Sequence, residues 1–132
     1  MRVRIEHVAL WVADLEGSCA FYAKYFGATV GARYENPAKG YASRFLSLGE
    51  GARIELMTGT GLVPRSPPVP QRTLGIAHFA LAVGKEPQVD ALVVRLRAAG
   101  VAVVDGPRRT GDGYYEAVVL DPEGNRIEVC GD

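Results

Sequence analysis

The 132-residue chain is 48% apolar and 23% charged, which is ordinary for one globular domain. Its 15 basic and 15 acidic residues give zero formal net charge, so no electrostatic argument favours nucleic acid or an anionic membrane as a partner. No apolar run approaches the ~20 residues that span a bilayer. The N-terminus has no signal-peptide pattern, and the two cysteines, Cys19 and Cys130, suit free thiols in a reducing compartment. We therefore expect a cytoplasmic protein.

The first half of the chain predicts the element order β-α-β-β-β. "IEHVALWV" (5–12) has the composition and length of a strand. Asp14 is a candidate N-cap for a helix with apolar residues at helical spacing, and Gly27 is its candidate stop. The remaining elements are a strand "ATVGARYE", a turn "NPAKG" (36–40), and the strands "YASRFLSLG" and "ARIELMT" (52–58).

The second half repeats the same order after a segment rich in proline and glycine. That segment, 59–72, has linker composition and divides a single 1–132 domain into module 1 (1–58) and module 2 (73–132). Module 2 predicts, in order, a strand over 75–83, an amphipathic helix over 87–100 ending at Gly100, a short strand "VAVVDG", and the strands "GYYEAVVLD" and "RIEVC" joined by the turn "DPEGN".

The two halves form an internal repeat that places His7 on His78 and Glu55 on Glu128. Because side chains alternate along a strand, His7 lies opposite the apolar set that should pack on the helix. The same alternation puts Glu55 and Glu128 on the face away from each helix. Each module therefore presents one His and one Glu on that face.

Two imidazoles and two carboxylates suit a divalent metal ion such as Zn, Ni, Co, Mn or Fe(II). Taken singly, a strand His or Glu is more often packed or solvent-facing than a ligand. The recurrence of both residue types at matching positions favours the metal site, because these are the only two histidines in the chain. Without a cation, converging carboxylates would repel.

The sequence resembles the vicinal oxygen chelate superfamily, which includes glyoxalases, bleomycin resistance proteins and dioxygenases, and within it glyoxalase I (lactoylglutathione lyase). The likeness extends over essentially the whole chain, through "IEHVALWV", "SCAFYAKYFGATV", "YENPAKGYASRFLSLGEGARIELM", "GIAHFALAV" and "DPEGNRIEV". It implies an α+β fold of two tandem βαβββ modules, forming a cup-shaped, incompletely closed mixed-sheet barrel with the helices outside. It also implies that one divalent metal ion per site is held by His7, Glu55, His78 and Glu128.

The resemblance further implies a metal-dependent lyase or isomerase that stabilises an enediolate of a small carbonyl, hemithioacetal or thioester substrate. Glu55 and Glu128 are both candidates for the catalytic base, and the sequence does not rank them. In short bacterial relatives the site is commonly built across a homodimer, and the linker is long enough to permit that exchange. The candidate substrate-pocket residues are Trp11, Arg53, Met57, Arg126 and Cys130.

Two departures from the glyoxalase I pattern concern glutathione. Glutathione-using bacterial glyoxalases I carry an Arg four residues after the first His, where this chain has Trp11. They carry an Asn four residues after the first Glu, where this chain has Gly59. Neither replacement supplies the same charge or hydrogen bond, so we expect weak or absent use of glutathione.

Other readings of the same fold stay open. Epimerases need similar enolate stabilisation, whereas dioxygenases and fosfomycin-modifying transferases of the superfamily typically use two His and one Glu. A metal-free drug-binding resistance protein would lack the full ligand set. Arg53 and Arg126 are either anion contacts or exposed strand-end charges, and Cys130 is either a further ligand or a spectator thiol.

Overall fold

The computed structural model describes residues 1–65 and 72–132, so part of the predicted linker, 66–71, lies outside the described residues. The contacts divide the chain into two compact units, Met1–Pro64 and Arg65–Asp132. The two units contain two helices and nine strands within the described residues, and each sheet is mixed. The predicted α+β class is confirmed. Neither helix in these ranges is long and apolar enough to cross a membrane.

The first unit has a five-stranded sheet with one helix. Its elements are β1 (His7–Trp11), α1 (Leu15–Phe26), β2 (Thr29–Val30), β3 (Tyr34–Asn36), β4 (Tyr41–Ser47) and β5 (Arg53–Gly59). The strand order is β1-β5-β4-β2, with β3 also paired to β4, and β1 is parallel to β5. The helix begins as predicted, because the side chain of Asp14 accepts a hydrogen bond from the Gly17 N–H at 2.9 Å. It ends at Gly27, which has the left-handed φ of 66°.

The second unit repeats this plan with four strands. Its elements are β6 (Phe79–Ala82), α2 (Glu86–Ala98), β7 (Val103–Arg109), β8 (Tyr115–Leu120) and β9 (Arg126–Cys130). The strand order is β6-β9-β8-β7, and β6 is parallel to β9. In both units the parallel pair therefore joins the first strand to the last strand.

Three predicted strands differ from the structure by more than two residues at one end or divide into two. "ATVGARYE" forms two strands rather than one, because the Gly31 N–H bonds to Phe45 O at 2.8 Å and the chain leaves the ladder before β3 rejoins β4. Of the strand predicted over 75–83 only β6 forms, so His78 immediately precedes the strand. With Phe79 opposite Ile127, residues 75–77 would extend past the first residue of β9, Arg126. The predicted "VAVVDG" strand instead extends to Arg109 through two register shifts, which accommodate a glycine and a proline.

Each unit buries the apolar face of its sheet under its own helix. In the first unit Tyr22, Leu46 and Leu56 are fully buried, and α1 packs on β4 and β5. In the second unit Leu96 and Ile127 are fully buried, and α2 packs on β7, β8 and β9. The opposite face of each sheet, which carries the histidines and glutamates, is consequently left free of helix packing.

Adjacent valines of α2 provide a direct test of this packing. Val93 is 1% exposed and Val94 is 66% exposed. We expect Val93→Ala to lower the free energy of unfolding by about 2 kcal/mol, because it removes buried methyl groups and leaves a cavity. The identical Val94→Ala substitution should change it by less than about 0.5 kcal/mol. Urea unfolding measures both, and equal effects would contradict the packing described for α2.

Candidate functional site

The first unit brings His7 and Glu55 together on the sheet face away from α1. Parallel pairing of β1 with β5 sets Ala9 opposite Glu55. Because the alanine side chain is small, the His7 side chain, two residues earlier on β1, reaches the Glu55 side chain across it. The His7 Nε2 atom lies 3.7 Å from Glu55 Oε1. The His7 side chain is 38% exposed and that of Glu55 is 15% exposed, so the histidine is the more accessible member of the pair.

A second carboxylate contacts the other nitrogen of the His7 ring. Glu6 Oε2 bonds to His7 Nδ1, and Glu6 Oε1 accepts a hydrogen bond from Arg53 Nε at 2.9 Å. These bonds to His7 and Arg53 lower the pKa of the Glu6 carboxyl. Glu6 therefore occupies Nδ1 of the His7 ring, and Nε2 is directed at a Glu55 oxygen. An imidazole nitrogen and a carboxylate oxygen are both ligand types that a divalent cation takes.

Arg53, proposed from the sequence as an anion contact, has its charge already engaged. Its guanidinium bonds to Glu6 and also lies over the Phe45 ring, 4.2 Å from the ring centroid. The same Phe45 ring meets His7 edge-on at 5.2 Å. These contacts fix the positions of His7 and Arg53 from two sides, so Arg53 acts here as a structural partner of Glu6.

The second unit brings His78 and Glu128 together in the same way. Parallel pairing of β6 with β9 sets Ala80 opposite Glu128, matching Ala9 opposite Glu55. The His78 Nε2 atom lies 2.7 Å from Glu128 Oε2, a hydrogen-bonding distance. The two side chains are 39% and 18% exposed, close to the values of the first pair.

Glu116 is a member of this second cluster that the sequence analysis missed. It pairs with Cys130 across β8 and β9, and its side chain bonds to that of Glu128. Burial raises the pKa of Glu116 to about 7, and the bond to Glu128 and the nearby negative charges act in the same direction. The alternation of side chains along "YYEAVVL", together with the position of the "DPEGN" turn, could have predicted the location of Glu116, because the turn fixes which residues of β8 and β9 face each other.

The other proposed pocket residues lie on the same faces. Met57 is opposite Trp11, and Cys130 is a buried free thiol whose pKa is raised chiefly by burial. Arg126 lies at the start of β9 and is close enough to Asp105 to help lower the pKa of that carboxyl, which Arg108 lowers most. None of these four residues contacts a His–Glu pair through a hydrogen bond given by the structure.

Within residues 1–65 and 72–132, no group of three or more His, Cys, Asp or Glu side chains is arranged to hold a metal. The structure instead shows two separate His–Glu pairs, one in each unit. Each pair offers one imidazole nitrogen and one carboxylate, a donor set that fits half of a four-donor divalent metal site.

Comparison with known proteins decides the family. The model of the Glyoxalase/Bleomycin resistance protein/Dioxygenase superfamily matches residues 4–129. The chain belongs to this superfamily. A probable lactoylglutathione lyase of Vibrio cholerae is 33% identical over 131 residues, covering 96% of this chain and 88% of that protein. The glutathione transferase FosA of Serratia marcescens is 27% identical over 125 residues, covering 95% of this chain and 78% of that protein.

A solved structure supports the same assignment. The trypanothione-dependent glyoxalase I of Leishmania major superimposes with a TM-score of 0.77 at 26% identity, covering 98% of this chain and 87% of that one. The superfamily fold predicted from the sequence is therefore confirmed. Because these superfamily relatives carry different activities in their names, membership alone does not choose the reaction.

The structure explains why position 59 of this superfamily member is glycine. A Cβ atom built on Gly59 would lie 2.4 Å from Gly40 O and 3.1 Å from the Tyr41 Cα. Both are backbone atoms at or just before the start of β4, where Tyr41 pairs with Gly59. No asparagine side chain can therefore occupy this position without moving the strand.

We expect Gly59→Ala to destabilise the protein by about 1–3 kcal/mol, because the strand must shift to admit the methyl group. Gly111→Ala is the matched control, since nothing lies within 4 Å of a Cβ at that position. Thermal or urea unfolding compares the two variants. Equal stability of the two variants would show that the close approach at Gly59 is absent in solution.

Proposed function

We propose that the chain is a divalent-metal-dependent lyase or isomerase of glyoxalase type, acting on a small carbonyl, hemithioacetal or thioester substrate. The observation that carries this proposal is the repetition of one His–Glu pair at the same register in both units. His7 lies two residues before Ala9, which pairs with Glu55, and His78 lies two residues before Ala80, which pairs with Glu128, although His78 itself immediately precedes β6.

One divalent ion per site, Ni, Zn, Co, Mn or Fe, fits the four donors His7, Glu55, His78 and Glu128. In the second unit His78 and Glu128, which already lie within hydrogen-bonding distance, would hold the ion together. When bound, the ion supplies positive charge that makes a C–H bond beside the substrate carbonyl acidic. The pairs can meet within one chain or across two, and a cytoplasmic homodimer remains part of the proposal.

The glutamates then act as the proton carriers. The carboxylate of Glu55 or Glu128 takes the proton from one carbon of the substrate and returns it to the neighbouring carbon. This isomerisation needs no oxidant or reductant. Both side chains are less than one-fifth exposed, which limits exchange of the carried proton with bulk water. Glu6 and Arg53 hold His7 in place during the transfer.

Glutathione is not the cosubstrate that the first unit is built to bind. Trp11 has no charge to offer a carboxylate, and the backbone around Gly59 leaves no room for a side chain. The loss of a charged contact typically costs roughly 1.5–3 kcal/mol, or about ten- to a hundredfold in binding. A thiol cosubstrate or substrate of different shape is therefore favoured.

Substitutions of the four donors test the metal site. We expect His7→Ala and His78→Ala each to weaken zinc binding by at least about 100-fold, because each removes a direct ligand. Glu55→Gln and Glu128→Gln should weaken it less, since each retains one oxygen donor. Glu50→Gln, in the exposed loop before β5, is the control. Calorimetry and elemental analysis give affinity and stoichiometry, and an unchanged metal content in His7→Ala would rule out the four-ligand site.

Turnover with glutathione tests the substrate assignment separately. We expect nickel- or zinc-loaded protein to convert the methylglyoxal–glutathione hemithioacetal to thioester only at trace rates, because both predicted glutathione contacts are missing. The assay follows thioester absorbance, with the metal content of the same sample measured in parallel. Robust turnover would mean that other residues bind glutathione, and it would leave the metal site intact.

A further inference from the structure

Three aromatic side chains occupy the helix-free face of the first unit beyond Glu55. Trp11 lies opposite Met57, Met57 lies opposite Ser43, and Ser43 lies opposite Tyr34, so one row crosses four strands. Tyr41 stands in the next row. Its ring centroid is 6.5 Å from that of Trp11, edge-on, and 5.9 Å from that of Tyr34. We call Trp11, Tyr34 and Tyr41 the aromatic wall.

The aromatic wall is open to a ligand. Trp11 is 57% exposed and Tyr34 is 52% exposed, although aromatic rings of this size normally contribute most when buried. A contiguous exposed apolar patch on a folded protein marks a binding surface. Trp11 meets Tyr41 edge to face and Tyr34 meets Tyr41 at a tilt of 54°, and these contacts hold the rings in place without a ligand.

The wall continues the His7–Glu55 pair along the same strands. Trp11 and Met57 lie two residues beyond Ala9 and Glu55, a distance of about 7 Å along the strands. A molecule whose reactive end lies at Glu55 would therefore extend its far end over the wall. Ala9, between the pair and the wall on β1, is exposed and carries only a methyl group, whereas Ser43, in the wall's own row, is buried.

The two rows of residues that form the wall contain no charged side chain. Its first row contains Trp11, Met57, Ser43 and Tyr34, and its second row contains Gly59, Tyr41 and Asn36. Arg53, a cation of the same face, lies at the opposite end of β5 and is bonded to Glu6. A carboxylate-bearing group would find no ionic partner in these two rows, whereas a flat ring would gain stacking contacts on several aromatic surfaces.

We propose that the aromatic wall binds an uncharged aromatic ring at the far end of the substrate, which makes the substrate an aryl-substituted carbonyl or thioester compound. The location of the reactive end rests on the function proposed above. The wall itself rests on Trp11, Tyr34 and Tyr41 and can be tested without the metal.

The sole tryptophan of the chain is Trp11, so its fluorescence reports directly on the wall. Zinc-loaded protein is titrated with 4-phenylbutanohydroxamate and with butanohydroxamate, two chelators that differ only in the ring. We expect the phenyl probe to bind at least tenfold more tightly and to change Trp11 emission. Calorimetry on Trp11→Ala and Tyr41→Leu should show this preference reduced to less than threefold. Val94→Ala, an exposed apolar residue of α2, is the control and should retain it.

A metal-free arm separates this proposal from the proposed function. Zinc-free protein is titrated with 4-phenylbutanamide and butanamide, and only the phenyl compound should change Trp11 emission in a saturable way. The wall is overturned if the phenyl compound gives no saturable change in emission, or if the two hydroxamates bind equally well to protein that binds zinc. Either result leaves the proposed metal site unaffected. Loss of zinc binding with a saturable phenyl signal overturns the metal site alone. If Trp11→Ala changes the molar mass measured by light scattering and leaves both hydroxamate affinities unchanged, the wall packs against another copy of the chain. That result overturns the proposal.

Discussion

The parallel pairing of the first and last strands of each unit is the constraint from which the candidate site follows. In a parallel ladder, β1 against β5 fixes Ala9 opposite Glu55, and β6 against β9 fixes Ala80 opposite Glu128. A shift of one residue would turn each glutamate toward the helix. The buried aliphatic residues on either side of each glutamate prevent that shift, so the core of each unit sets the position of its carboxylate.

The two units place their His–Glu pairs on the same arrangement of strands but surround them with different side chains. In the first, Glu6, Arg53 and Phe45 surround His7, and the face continues into exposed aromatic rings. In the second, the carboxyl of Glu128 bonds to His78 and to Glu116, so the face is acidic. The same strand arrangement therefore carries exposed aromatic rings in the first unit and a cluster of carboxylates in the second.

The sequence predicted the elements and faces well, because alternation and capping are local. Asp14 and Gly27 bound α1 as expected, and the isoleucine–glutamate alternation of β5 and β9 placed Glu55 and Glu128 correctly away from the helices. Strand limits depended on partners distant in the chain, so β6 came out shorter and β7 longer than predicted. Glu116 and the pairing of Arg53 with Glu6 were missed, since both arise from side chains that meet only after the strands pair.

The central claim is that both units contribute to one metal site. X-ray absorption at the zinc edge of tag-free, zinc-loaded protein tests it most directly, because the chain contains only His7 and His78 as sources of imidazole. The account predicts a shell of nitrogen and oxygen donors with the scattering of two imidazoles and no sulfur. A shell with one imidazole or none, or with sulfur from Cys130, would contradict it.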